Sequence, residues 1–79
     1  MREYFEIRPS EPNGWGFYNS DDVLNFWADD KQPVIDYAED VLKTLWVVFK
    51  IKSELRIKEA DGTIGDPRTY GDDPVIIQG

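Results

Sequence analysis

Three pairs of neighbouring carboxylates, Asp21-Asp22, Asp29-Asp30 and Asp72-Asp73, are the groups in this chain best suited to hold a hard cation such as calcium or magnesium through oxygen. The ordered acidic loop that builds a strong calcium site, with its glycine and distant Glu, is missing. Asp29-Asp30 reads more simply as a helix cap, and Asp72-Asp73 before Pro74 as a turn. A weak divalent-cation site therefore ranks behind two other readings given below. Acid/base work by two carboxylates would need a cleft that pushes their pKa values apart, and 79 residues leave little room for one.

The chain contains neither His nor Cys. Their absence removes the commonest general base, the Ser-His and Cys-His nucleophile pairs, and thiolate or imidazole metal ligation. The glycines in Asn13-Gly14-Trp15-Gly16 are turn glycines, with no phosphate-cradling spacing around them. The expectation is a protein that is not an enzyme and carries no cofactor.

Aromatic residues make up 14% of the chain, and Trp15, Phe17, Trp27 and Trp46 are candidates for a platform that binds a peptide or a single nucleic-acid strand. Trp15 and Phe17 share a face by period two, which a helix would cover, so core is the stronger reading for them. Trp46 falls on the charged side of its expected strand and is the exception. Tyr70-Gly71-Asp72-Asp73-Pro74 is the loop best placed to do more than pack, although Gly71 and Pro74 serve a turn equally well.

A net charge of −7 argues against direct nucleic-acid binding and against an anionic membrane surface, because both begin with Lys and Arg displacing counterions. Acid is concentrated in Asp21, Asp22, Asp29, Asp30, Asp36, Glu39 and Asp40, followed by the basic Lys43, Lys50, Lys52, Arg56 and Lys58. Both stretches read as solvated faces, or as surfaces for a partner of opposite sign, including a second copy. The opening MREYFEIRP has no basic region followed by roughly 7–15 apolar residues, so no secretory leader is expected and the cytoplasm is the expected compartment. No apolar run approaches the roughly 18 residues of a membrane span.

The elements that must position these groups follow from periodicity. Phe5, Ile7 and Pro9 alternate with Tyr4, Glu6 and Arg8 in a first strand; Asn13-Gly14 is a hairpin signal, Trp15 to Tyr18 returns, and Val23 to Ala28 reads as a third strand. Asp29-Asp30 and Pro33 open a helix over Lys31 to Thr44, with Val34, Ile35, Ala38, Val41, Leu42 and Leu45 on one stripe. Beyond it two readings compete. Trp46 and Phe49 would continue the stripe, while Val47, Phe49, Ile51, Ser53, Leu55 and Ile57 alternate with Lys50, Lys52, Glu54, Arg56 and Lys58. The longer alternation favours ending the helix near Thr44 and starting a long strand near Trp46. Asp61-Gly62 turns that strand, Thr63-Ile64 begins a short return, and residues 66–79 read as an irregular tail with Val75-Ile76-Ile77 packing back as an edge.

Asp61-Gly62-Thr63-Ile64 followed by Tyr70-Gly71-Asp72-Asp73-Pro74, with Trp15 in the first strand pair and Ala38 in the helix, resembles a family of small bacterial domains known as domain of unknown function 2188. The resemblance implies a fold and a bacterial origin, and no activity. The strongly apolar Trp46 to Ile51 stretch and the acidity depart from the family's pattern.

The expected architecture is a single α+β domain over residues 1–79, a small antiparallel sheet of roughly three to five strands with one helix packed on one face. The expected role is a cytoplasmic protein-interaction or accessory module that binds another protein or its own copy. Trp46, Lys50, Lys52, Arg56, Lys58, Tyr70, Asp72 and Asp73 are its candidate surface. The alternative is an acidic nucleic-acid mimic that engages a basic DNA-binding protein.

Overall fold

The computed structural model of the chain describes residues 2–65 and 67–71. β1 (Arg2–Pro9) and β2 (Trp15–Tyr18) form an antiparallel hairpin in which Ile7 lies opposite Phe17. The turn between them depends on Gly14, whose φ of 83° lies in the left-handed region that side chains disfavour. β3 (Leu24–Ala28) returns antiparallel to β2. Between them Asn19 Oδ1 accepts the backbone N–H groups of Asp21 and Val23 at 2.9 and 3.0 Å, the side-chain turn that an Asn in such a loop provides.

α1 (Lys31–Phe49) starts where Asp30 leaves extended backbone, but the Asp30 carboxylate makes no capping hydrogen bond. β4 (Lys52–Ile57) and β5 (Arg68–Tyr70) complete a five-stranded sheet of order β3-β2-β1-β4-β5. The α+β class, with one helix against one sheet face, is as expected. The sheet is mixed, however, because β4 lies parallel to β1, from Arg2 opposite Lys52 to Ile7 opposite Ile57. A parallel neighbour requires a crossover, and α1 supplies it after the β1-β2-β3 meander.

Two boundaries differ from the sequence reading. The helix runs to Phe49 instead of Thr44, so Trp46, Val47 and Phe49 are helical. The i, i+3/i+4 stripe that buries Val34, Ile35, Ala38 and Leu42 simply continues through Leu45. Lys50 then turns left-handed (φ 58°), donating its N–H to Trp46 O while Ile51 N–H reaches Leu45 O, both at 3.0 Å. Only the later half of the apparent alternation, Ser53-Leu55-Ile57, belongs to a strand. The second difference is β5, which forms antiparallel to β4 within the stretch expected to be irregular. Val75-Ile76-Ile77 lies outside the described residues.

The core is built from Ile7, Phe17, Val34, Ile35, Ala38, Leu42 and Leu55, between the helix and one sheet face. Phe5 stacks on Phe17 at 5.3 Å between ring centroids, and Phe26 stacks on Tyr37 at 4.2 Å. Offset ring pairs of this kind add to the burial of apolar area. Among the described residues no helix is long and apolar enough to cross a membrane.

Candidate interaction surface

Among the described residues a single helix covers one side of the sheet, and nothing covers the other. By the two-residue alternation of strands, β1 presents Arg2, Tyr4, Glu6 and Arg8 there, and β4 presents Lys52, Glu54 and Arg56. β2 and β3 add Tyr18, Leu24 and Trp27. Tyr4 is 48% exposed and Trp27 41%.

Glycines shape this face. Trp27 lies across Gly14, where an added Cβ would come within 2.5 Å of the ring, and its indole N–H donates to Asn13 O at 3.0 Å. Gly16 likewise leaves room for Tyr18 and Leu24, both of which would meet a Cβ there within 2.7 Å. The rings therefore lie flat on the sheet as a low aromatic layer. Arginines cover part of it, with the Arg8 guanidinium 3.8 Å from the Tyr18 ring centroid and that of Arg56 5.8 Å from Tyr4.

The charges on this face are paired internally. Arg8 donates to Glu6 at 2.8 Å and to Asp22 at 3.2 Å, and Arg56 donates to Glu54 at 2.8 Å. Hydrogen bonding to Glu6 outweighs desolvation and holds the Arg8 pKa above its usual value. The exposed pairs among these, Arg8–Asp22 and Arg56–Glu54, contribute little stability and are readily exchanged for pairs with a partner. A shallow groove of about 300 Å³ runs beside Tyr4, Glu6, Asn19, Asp22 and Arg56.

The residues expected to form one surface are distributed over three places. Lys52 and Arg56 are on the open face. Trp46 and Lys50 are at the helix end, where the Trp46 ring packs against Gly71 and Lys50 Nζ sits 5.3 Å from the ring centroid. The expected single row Lys50-Lys52-Arg56-Lys58 is thus broken, because Lys50 belongs to the helix cap and Lys58 is half-buried in a bridge with Ile64. Tyr70 pairs with Ser53 on the helix side of the sheet, and burial, reinforced by Glu39, raises the pKa of its phenol. Asp72 and Asp73 lie outside the described residues.

Sequence reasoning missed Tyr4, Tyr18 and Leu24 as surface residues. For Tyr4 the signal was present in the Tyr4-Glu6-Arg8 alternation, which marks the face opposite Phe5 and Ile7. Two other features stand apart from the open face. A cleft of about 530 Å³ lies between the start of α1 and the β4-β5 connection, where Lys31 pairs with Glu59 at 2.9 Å. The helix end exposes Val47, Val48 and Phe49. Among the described residues no group of three or more acidic side chains converges on a point that would hold a metal. No family model, curated protein or solved structure matches this chain.

Proposed function

We propose that this chain is a non-catalytic protein-interaction module that engages another protein, or a second copy of itself, through the uncovered face of its sheet. The observation that carries this reading is the group of Tyr4, Tyr18 and Trp27, with Trp27 laid over Gly14 and Tyr18 over Gly16, on a face that no helix covers among the described residues. Exposed rings bordered by exchangeable ion pairs are the composition that protein interfaces favour at their centres. The cytoplasm is the proposed compartment. Membership of domain of unknown function 2188 is part of the proposal, supported by Trp15 on β2, buried Ala38 on α1 and the Gly62 turn at φ 90°.

The test compares capture of partners by the wild-type chain and by a Tyr4→Glu/Arg56→Glu variant with an unchanged circular dichroism spectrum. A partner, or a self-association seen by sedimentation, that the variant loses supports the reading. Retention by the variant overturns it. Strongly salt-dependent capture of a basic DNA-binding protein that ignores this substitution would instead favour the nucleic-acid mimic.

A further inference from the structure

β3 forms one rim of the sheet, and among the described residues nothing pairs with its outer edge. An open rim offers a row of backbone N–H and C=O groups to any extended chain, and proteins commonly blunt it with Lys or Pro. Leu24–Ala28 contains neither. Apolar groups flank the edge on both sides of the sheet, with Phe26 stacked on the half-exposed Tyr37 towards the helix, and Leu24 and Trp27 on the open face. A strand added at this rim would set alternate side chains against each.

The ends of β3 specify charge. Asp21 and Asp22 precede it, Asp29 and Asp30 follow it, and all four are exposed. A second copy paired on the same edge would face acid at both ends in either orientation, since antiparallel alignment sets Asp21-Asp22 against Asp29-Asp30 and parallel alignment sets each pair against itself. Like charges opposite one another destabilise a strand pair. We infer that β3 is a docking edge for an extended segment of another protein, with an apolar centre and Lys or Arg at both ends. This inference rests on the interaction-module reading and supplies the edge and the partner's chemistry. Backbone hydrogen bonding would hold the segment, the rings would select its alternate residues, and the four carboxylates would select its ends.

The experiment titrates the isotopically labelled full chain with a synthetic peptide of alternating valine and threonine between paired lysines, and with its glutamate-ended counterpart. The expected result is amide shifts centred on Leu24–Ala28, with the lysine-ended peptide binding roughly tenfold tighter at low salt and the preference shrinking as salt screens it. Asp21→Lys/Asp29→Lys, checked for an unchanged melting temperature, should reverse the preference. Equal binding of the two peptides, no binding, shifts centred on Arg68–Tyr70, or a dimer paired through β3 would each overturn the inference. If those outcomes coincide with a partner lost on Tyr4→Glu/Arg56→Glu, the docking edge falls and the interaction module stands.

Discussion

Ser53 is fully buried between sheet and helix, and its hydroxyl has no hydrogen-bond partner among the described residues. An unpaired buried hydroxyl retains a desolvation cost with nothing to offset it, so Ser53→Ala should stabilise the fold by about 1 kcal/mol in chemical denaturation. A loss of stability would show that the hydroxyl is satisfied after all. Asp61 is the opposite case, a fully exposed carboxylate whose oxygen accepts the Thr63 N–H at 2.9 Å and whose pKa falls below the ordinary 3.8, chiefly because of that bond. A carboxylate with a depressed folded pKa contributes stability that is present above its unfolded value and lost as pH falls through the folded one. Asp61→Asn should accordingly lower stability slightly at neutral pH, leave it little changed at pH values below the folded pKa, and so flatten part of the acid limb of the stability profile. The aromatic layer was half legible at this scale. The alternation of Tyr4 with Phe5 carried enough to place Tyr4 although that reading was missed, but Phe26-Trp27 sets two rings side by side, and composition does not say which of them faces the helix.

The helix shows how propensity and period mislead at the scale of an element. Trp46-Val47-Val48-Phe49 is rich in the β-branched and aromatic residues that strands favour, and no glycine marks its end. The structure supplies the stop through Lys50, an unusual occupant of the left-handed position. Lys50→Gly should therefore raise stability by about 1 kcal/mol while the helix still ends at Phe49, because left-handed backbone strains a residue that has a Cβ. Loss of the Lys50 contact with Trp46 would offset part of that gain. If the variant is less stable than the wild type, the cap is held by that contact and not by the backbone. The same overhang leaves Val47, Val48 and Phe49 between 63% and 66% exposed. Val48→Lys should shift unfolding by no more than about 0.5 kcal/mol, as expected for a surface substitution, while lowering the binding of a hydrophobic dye.

At the scale of the whole molecule, the class and the helix-on-sheet layering were legible because one apolar stripe and several alternating segments admit few other arrangements. The parallel β1-β4 seam was not, since alternation is blind to the direction of a neighbouring strand. That seam also governs how the chain can assemble. Its partners, from Arg2 with Lys52 to Ile7 with Ile57, are each about fifty positions apart in sequence, whereas the meander joins near neighbours. Closing so long a loop costs entropy before any contact compensates it, so the seam is the natural barrier to folding. Leu55→Ala should consequently slow folding in stopped-flow experiments, whereas a truncation at Phe26 should mainly hasten unfolding. On a ribosome, the central strand would emerge well before its parallel partner and wait, one edge bare, until the helix and β4 had followed it out of the tunnel.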